Sequence, residues 1–174
     1  SIQRARMAKT AWFHADRDRF TAQLKVEISA ARKSAARKDM KLAIRLNGTS
    51  DIVWERISDV IQSFPDVQFY DYTKIAKRFL FALPSNYDLT FSLSEENEVD
   101  ARFVLSRGAR VAVVFRDKAF PIEFLGSSVV SGDDHDLRFL DPKGVVVALY
   151  AKGKAKKDQS GFVRETSVTE ERRA

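Results

Sequence analysis

The stretch KLAIRLNGTSDIVWERISDVIQSF, residues 41–64, decides the fold of this chain. Its opening residues alternate between apolar and polar, which is typical of a β-strand with one buried face. A polar turn, Asn47 to Asp51, follows, and apolar residues then recur at helical spacing until Pro65. The stretch therefore predicts one strand–helix unit, with Thr49 or Ser50 as the helix cap.

Two further segments repeat this plan. VQFYDYT leads into a helical TKIAKRFLFAL, and YDLTFSLSE leads into a helical NEVDARFVLSRG, in which Gly108 is placed to end the helix. RVAVVFR is a fourth, uniformly apolar strand and is expected near the centre of the sheet. DLRFL and VVVALYA, separated by the turn Asp141-Pro142-Lys143-Gly144, predict a β-hairpin at the sheet edge.

The alternation in the first three strands sets the predicted architecture. Leu42, Phe69 and Phe91 belong to an apolar face, and polar side chains occupy the opposite, concave face. Strands covered by helices on both sides should be apolar throughout, and these strands are not. We therefore predict a single α/β domain. Its mainly parallel sheet has about four βα-type strands with helices on one face, forming a partial, barrel-like half, plus the C-terminal β-hairpin.

The first 41 residues concentrate the positive charge. They carry eleven Lys or Arg and four Asp or Glu, a formal charge of +7, whereas the whole chain carries +6. Residues 1–14 predict an extended arm, and residues 16–38 predict an amphipathic helix capped by Asp16. Such a segment is typical of binding to nucleic acid or another polyanion, and a solvated helix surface explains it equally well. The predicted phosphate contacts are Arg4, Arg6, Lys9, Arg17, Arg32, Lys33, Arg37 and Lys38.

Composition excludes several classes of site. The chain has 174 residues and no cysteine, so it forms no disulfide, thiolate zinc site, cysteine nucleophile or iron–sulfur cluster of its own. No apolar run approaches the roughly 20 residues that cross a bilayer, so we expect a cytoplasmic protein without a membrane partner. The length predicts one domain over residues 1–163 and a flexible tail over residues 164–174.

The candidate binding residues follow the predicted strands. Runs of βα units place their polar chemistry at the carboxyl ends of the strands. The lysine-rich segment AKGKAKKD is a candidate loop that closes over an anionic ligand. Helix capping and aromatic packing explain many of the same residues without a ligand. The predicted ligand-binding residues are Arg45, Asn47, Ser50, Asp51, Tyr70, Tyr72, Lys74, Ser92, Ser94, Glu95 and Lys154.

Two functions remain open. The first is an accessory protein that binds nucleic acid through the basic N-terminal segment. The second is a small enzyme or ligand-binding domain that acts at the strand ends, with Mg²⁺-dependent phosphoester or nucleotide chemistry. Glu95, Glu96 and the carboxylates of GDDHD, residues 132–136, are ligands of the kind that Mg²⁺ prefers, although such a run is also typical of an exposed turn. An open polar face and unpaired edge strands predict a homodimer, unless Trp12 and Phe13 fill the concave face.

Five sequence segments are similar to those of a known family: RLNGTSDIVWE, FPDVQFYDYTK, NYDLTFSLSEENE, GARVAVVFRDK and DDHDLRFLDPKGVVVALYAKGKAKKDQSGFV. From Gln3 onward, the chain resembles a family of uncharacterised proteins encoded by phages, prophages and plasmids. The resemblance implies a phage-type accessory protein in the cytoplasm of a bacterial host, and it implies no particular activity.

The resemblance has two further implications. In the family, a cysteine-containing segment precedes the part that is similar to QRARMAKT, and this chain lacks it, so we expect a trimmed or internal piece of a longer protein. The βα units also resemble the half-barrel core of radical-SAM enzymes. That likeness concerns the fold alone, because their cluster needs cysteine ligands.

Overall fold

The computed structural model describes residues 2–166. Its helices are α1 (Ile2–Ala15), α2 (Arg17–Arg37), α3 (Trp54–Ile57) and α4 (Glu98–Ser106). Its strands are β1 (Ala43–Arg45), β2 (Gln68–Thr73), β3 (Tyr87–Ser92), β4 (Arg110–Phe115), β5 (Glu123–Phe124), β6 (Ser127–Ser131), β7 (Val146–Tyr150) and β8 (Val163–Arg164). Short 3-10 turns cover Ala76–Leu80, Arg138–Leu140 and Gly153–Lys157. Among these residues, no helix has the length and apolar character needed to cross a membrane.

The strands form one open sheet in the order β1-β2-β3-β4-β7-β6-β5. Neighbours are parallel except β5 and β6, which are antiparallel. β8 pairs with the carboxyl half of β4, beyond the residues that pair with β3. The prediction of a mainly parallel α/β sheet is confirmed. Its extent differs, because the described residues form eight strands instead of four strands and a hairpin.

The predicted C-terminal hairpin is wrong. Arg138–Leu140, within DLRFL, is a 3-10 turn, and β7 lies between β4 and β6, parallel to both. Val146, Val147 and Ala148 of β7 are fully buried, and a strand that is apolar on both faces belongs in the interior of a parallel sheet. A hairpin forms earlier, between β5 and β6, where Leu125 and Gly126 adopt positive φ angles that suit a two-residue turn.

Two predicted helices are mostly irregular. Residues 51–64 contain only the single helical turn α3, and residues 74–83, which follow β2, contain only a 3-10 turn. The side-chain oxygen of Asn47 accepts hydrogen bonds from the Ile52 main-chain N–H at 3.0 Å and the Trp54 ring N–H at 3.2 Å. Because these contacts hold the segment before α3 in a non-helical conformation, the predicted hydroxyl cap of this helix is not formed.

The N-terminal segment is helical where an extended arm was predicted. α1 contains alanines and long unbranched side chains, which favour a helix. α2 begins as predicted, because the Asp16 side chain accepts a hydrogen bond from the Arg19 main-chain N–H at 3.0 Å. α4 also matches its prediction, and Gly108 after it has a φ of 75°, the left-handed conformation that ends many helices.

Residues 164–166 of the predicted tail lie among the described residues. Arg164 belongs to β8 and is paired with Phe115 of β4, although the sequence places it in the flexible tail. Residues 167–174, the rest of that predicted tail, lie outside the described residues.

Helices cover the apolar face of the sheet. Phe69 of β2 packs with Ile28 of α2 and Trp54 of α3 in one buried cluster. Phe91 of β3 packs with Val104 of α4 in a second cluster, which continues to β4 and β7. These contacts place α2, α3 and α4 over the face that the sequence predicts to be apolar.

The opposite face is partly covered by residues 132–144, here called the cover loop. The Phe139 ring of this loop lies 5.5 Å from the Tyr70 ring of β2. The predicted concave face is therefore covered by this loop and not by the aromatic residues of α1. Phe13 packs on the other side of the sheet, where its ring lies 5.6 Å from that of Trp54.

Two buried arginines hold the cover loop in place. Arg110 of β4 donates two hydrogen bonds of 2.9 Å to the Asp88 carboxylate and one of 2.6 Å to the main-chain oxygen of Asp141. Arg138, which is 1% exposed, belongs to the loop itself and lies 3.3 Å from the Asp141 carboxylate, so this contact stabilises the loop internally. The hydrogen bonds of Arg110 tie the loop to the sheet in a buried setting.

Candidate functional site

The carboxyl ends of β1–β4 and β7 border three adjoining cavities of about 270, 380 and 520 Å³. The first two share Arg45, Tyr72, Lys74 and Ser92, and the last two meet at Val114, Leu149 and Asp136. We call the three together the carboxyl-edge cleft. Ligands of open parallel sheets commonly bind at this edge.

Arg45, Tyr72 and Asp136 form the centre of the cleft. The Tyr72 hydroxyl donates a hydrogen bond to Asp136 Oδ1 at 2.8 Å, and Arg45 donates one to Oδ2 at 3.3 Å. The Arg45 guanidinium also lies 4.6 Å from the centroid of the Tyr72 ring. Burial, followed by the hydrogen bond to Asp136, raises the pKa of Tyr72, so its hydroxyl remains a donor.

Lys74 supplies a positive charge at the end of the cleft next to the turn after β1. Its main-chain N–H donates to the Asp51 carboxylate at 2.7 Å, whereas its side chain is exposed and forms no salt bridge within residues 2–166. Its ammonium nitrogen lies 6.0 Å from the centroid of the Phe162 ring. Ser92, half-buried at the end of β3, adds a hydroxyl to the same walls.

The other end of the cleft combines paired and unpaired charges. Asp133 accepts hydrogen bonds from the Tyr150 main-chain N–H at 3.1 Å and the Lys152 ammonium at 2.9 Å. The Tyr150 ring has the ammonium groups of Lys118 and Lys156 at 5.5 and 5.2 Å from its centroid. Neither lysine forms a salt bridge with another described residue, so positive charge collects beside this ring.

A buried hydrogen-bond network supports the turn after β1. Asp71, 1% exposed, accepts hydrogen bonds from the Asn47 main-chain N–H at 2.7 Å and the Tyr87 hydroxyl at 2.8 Å. Arg78 donates to the Tyr87 hydroxyl at 2.8 Å and makes two hydrogen bonds to the Glu55 carboxylate. The network joins β2, β3, α3 and the 3-10 turn at Ala76–Leu80 into one rigid wall.

Burial is the largest single effect on the pKa values of the groups in this network. It raises the pKa of Asp71 to about 6, although the hydrogen bonds from Asn47 and Tyr87 act in the opposite direction. Burial also raises the pKa of the Tyr87 hydroxyl. For Arg78, burial lowers the pKa, but the hydrogen bonds to Glu55 and the effects of its other partners outweigh it, so the pKa is raised and the charge is retained.

The structure brings together most of the predicted ligand-binding residues. Those that line the cleft are Arg45, Asn47, Ser50, Asp51, Tyr72, Lys74 and Ser92. Several polar atoms of Asn47 and Asp51 already form hydrogen bonds within the protein. Asn47 bonds to Asp71 and Trp54, and Asp51 bonds to Arg78.

Four other predicted residues are placed differently. Tyr70 lies beneath Phe139 of the cover loop. Ser94 is buried, and its main-chain oxygen accepts a hydrogen bond from Arg164 at 3.1 Å. Glu95 and Lys154 are exposed and do not line the three cavities.

Sequence reasoning missed Leu149 and Phe162 as cleft residues, and it considered Asp136 only as a metal ligand. Asp136 belongs to GDDHD, which reads as an exposed turn, and only the folding of the cover loop onto β2 brings it to Tyr72. Leu149 has a local signal, because it alternates with buried Ala148 on a strand. No local signal distinguishes Phe162.

The predicted metal ligands do not assemble. Among residues 2–166, no three His, Asp or Glu side chains are grouped so that they could hold a metal ion. The proposed pairing of Ser94–Glu96 with residues 132–136 therefore forms no such group in the described part of the chain.

The predicted phosphate contacts lie on the surfaces of α1, α2 and the residue after α2. All eight are exposed. Arg32 forms a salt bridge with Asp66 at 3.1 Å, and the Arg17 guanidinium lies 5.4 Å from the Phe13 ring centroid. None of the other six forms a salt bridge within the described residues.

A further cavity of about 510 Å³ lies at the amino ends of the strands, between Phe79, Phe81, Leu83 and Phe139. Among the cations that line it, Arg110 is paired with Asp88, whereas Arg107 and Lys143 form no salt bridge within residues 2–166. The carboxyl-edge cleft differs from this cavity in its position, since open parallel sheets bind their ligands at the carboxyl ends of the strands.

The fold and the cleft define an open, mostly parallel α/β protein with a polar cleft at the carboxyl edge of its sheet. A family model described as "Gene product 88" matches residues 1–166, and the chain belongs to this phage-type family. The match confirms the family resemblance. No curated protein and no solved structure matches the chain.

Proposed function

We propose that this protein binds a phosphate-bearing ligand in the carboxyl-edge cleft. The observation that carries the proposal is Lys74, whose exposed ammonium group has no carboxylate partner within residues 2–166 and shares two cavities with Arg45. A cation at the carboxyl edge of a parallel sheet attracts an anion into the place where such sheets bind their ligands.

The rest of the cleft suits a ligand with an apolar part. Tyr72 and Ser92 provide hydroxyls, whereas Ala112, Val114 and Leu149 provide an apolar wall. Small-molecule sites combine a few polar groups with a mainly apolar lining. The ligand class is therefore a nucleotide or another phosphorylated small molecule. Enzymatic use of the cleft, including Mg²⁺-dependent phosphoester chemistry, stays a prediction.

Titration calorimetry with pyrophosphate and with nucleoside di- and triphosphates tests the proposal at low salt. Lys74→Gln should weaken binding by about tenfold or more, because a charge-assisted hydrogen bond contributes about 1.5–3 kcal/mol. Lys33→Gln, an exposed lysine of α2, is the matched control and should leave binding unchanged. Absence of binding to all of these phosphates, or equal losses for both variants, would contradict the proposal.

The N-terminal helices are a second candidate site, for nucleic acid. Every residue from 2 to 11 of α1 is exposed, and so are all eight predicted phosphate contacts. A helical segment that is exposed all round gains little from packing against its own chain. Its positive charge can instead contact the phosphates of a nucleic acid.

Salt dependence tests this second candidate. Substitution of Arg4, Arg6 and Lys9 together by Gln should reduce the slope of log K against log salt for duplex DNA. The expected reduction is about 0.9 for each phosphate that the variant no longer neutralises. Lys77→Gln, an exposed lysine of the 3-10 turn Ala76–Leu80, serves as the control. Binding that does not respond to the triple substitution would exclude these contacts.

A homodimer is also proposed, through the sheet edges. β1 is a three-residue edge strand at one end of the sheet, and β5 is a two-residue edge strand at the other. Unpaired edges are available to a second chain. The other reason for expecting a dimer, an uncovered polar face, is weakened by the cover loop.

A further inference from the structure

We infer that the ligand of the carboxyl-edge cleft is single-stranded nucleic acid, a proposal that rests on phosphate binding in this cleft. The observation behind it is that aromatic rings and cations occur together along the cleft. Arg45 lies 4.6 Å from the Tyr72 ring centroid, and Lys74 lies 6.0 Å from that of Phe162. At the other end, Lys118 and Lys156 lie 5.5 and 5.2 Å from that of Tyr150.

The pairing of aromatic rings with cations matches the bases and phosphates of a single-stranded nucleic acid. Proteins that bind single strands stack bases on aromatic rings while cations follow the phosphate backbone. A mononucleotide has one base and one cluster of phosphates, so it would use a single ring with its neighbouring cation. The cleft has such pairs at both ends, joined by the apolar wall of Val114 and Leu149.

The arrangement favours a single strand over a duplex. Phe162 and Tyr72 are half-buried in cavity walls, where an unstacked base can reach them and a base inside a duplex cannot. A duplex presents mainly its phosphates, which flat basic surfaces such as those of α1 and α2 can contact.

The acidic residues of the cleft do not prevent binding of a polyanion, because most of them are already paired. Asp136 is paired with Arg45 and Tyr72, Asp133 with Lys152, and Asp51 with Arg78. Asp134 is exposed beside them. The cations outside these pairs, Lys74, Lys118 and Lys156, form no salt bridge within residues 2–166, and Lys154 and Lys157 of the Gly153–Lys157 turn add to them.

Fluorescence anisotropy with labelled oligothymidylates, from the dinucleotide to the dodecamer, tests the inference, together with calorimetric titration of thymidine diphosphate. We expect the dodecamer to bind at least about tenfold more tightly than the dinucleotide, because each additional base–aromatic stack and phosphate contact adds affinity. Phe162→Leu, which keeps an apolar side chain but removes the ring, should weaken dodecamer binding at least about fivefold.

The double substitution of Lys118 and Lys156 by Gln probes the end of the cleft next to Tyr150. It should lower the salt slope of dodecamer binding by about 1.4, at about 0.7 for each contact on a single strand, and leave dinucleotide binding at Lys74 unchanged. Lys77 and Lys143, exposed lysines outside the cleft and the N-terminal helices, are substituted together by Gln as the matched control, which should leave both unchanged. Lys33 and Lys38 substituted together by Gln probe the N-terminal helices. Circular dichroism of each variant verifies that it is folded.

The outcomes separate this inference from the function on which it rests. If thymidine diphosphate binds and the dodecamer binds no more tightly, the single-strand inference fails and phosphate binding stands. If neither binds, both fail. If the dodecamer binds but responds only to the Lys33 and Lys38 substitutions, the N-terminal helices are the site and the inference is overturned.

Discussion

Asp71 is a buried acid whose protonation is linked to the stability of the protein. It is almost fully buried at the end of β2 and accepts hydrogen bonds from Asn47 and Tyr87. Burial nevertheless dominates and raises its pKa from 3.8 to about 6. The native state therefore holds this proton more tightly than the unfolded state does.

The pH dependence of unfolding should show that the native state binds the proton of Asp71 more tightly than the unfolded state does. Because the pKa of Asp71 is higher in the folded state, its contribution is fully present below about pH 3.8 and is lost as the pH rises through about 6. The free energy of unfolding should fall by about 3 kcal/mol over this range, at about 1.4 kcal/mol for each pKa unit. Denaturant unfolding of wild type and Asp71→Asn measures the difference, since the other titrating groups are common to both. Parallel pH profiles would show that the pKa of Asp71 is not raised.

Asp136 controls the charge at the centre of the cleft. Its carboxylate partly neutralises Arg45, although the pair is open to solvent. Asp136→Asn should therefore strengthen binding of pyrophosphate or a nucleotide by about two- to fivefold, the range expected for a solvent-screened ion pair. Titration calorimetry measures this, with Asp134→Asn, an exposed acid that forms no salt bridge within residues 2–166, as the control. Weaker binding by Asp136→Asn would show that Asp136 mainly positions Arg45 and Tyr72.

At the scale of elements, the cover loop turns a half-exposed sheet face into a bounded cleft. Gly132 starts the loop, and its main-chain N–H donates to the Ala148 main-chain oxygen of β7 at 2.8 Å. A methyl group at this position would overlap Val147 and Leu149 of the same strand and the buried Arg138. Neither the strand nor the arginine can move away without disrupting the close packing around it.

Gly132→Ala should destabilise the protein by about 1–3 kcal/mol, the usual cost of overfilling a packed site. Gly48→Ala is the matched control, because a methyl group there would have no atom within 4 Å. Chemical denaturation of both variants measures the difference. Equal stabilities would show that the cover loop adapts and is not tightly packed against β7.

At the scale of the whole molecule, the sheet ends in two short edge strands, which are available to pair with a second chain. β1 and β5 leave few main-chain groups unpaired, yet β1 ends at Arg45, which lines the cleft. We expect a homodimer that forms by edge pairing and has twofold symmetry, the commonest closed arrangement. Sedimentation equilibrium at micromolar concentration measures the mass directly. A single-chain mass throughout would exclude the dimer.

The sequence by itself determined the features that depend on local chemistry. Alternating residues in β1, β2 and β3 determined which face is apolar, and strand ends placed Arg45, Tyr72, Lys74 and Ser92 near one another. Asp16 and Gly108 marked the ends of helices because capping depends on a few neighbouring residues. The parallel α/β class followed from the same repeating pattern.

Only the tertiary structure decided how distant segments meet. The chain from 132 to 144 reads as a turn in isolation, yet buried Arg110 of β4 holds it on the sheet, where Asp136 meets Tyr72. Buried Arg138 stabilises the segment from within by its contact with Asp141. Asn47 is likewise bound by Asp71, 24 positions away, and its side chain accepts the hydrogen bonds from Ile52 and Trp54 that keep the segment before α3 non-helical. Such buried hydrogen bonds and ion pairs outweigh local helix propensity, which amounts to less than about 1 kcal/mol per ordinary residue. A local pattern cannot reveal them, because their partners are brought together only by the complete fold.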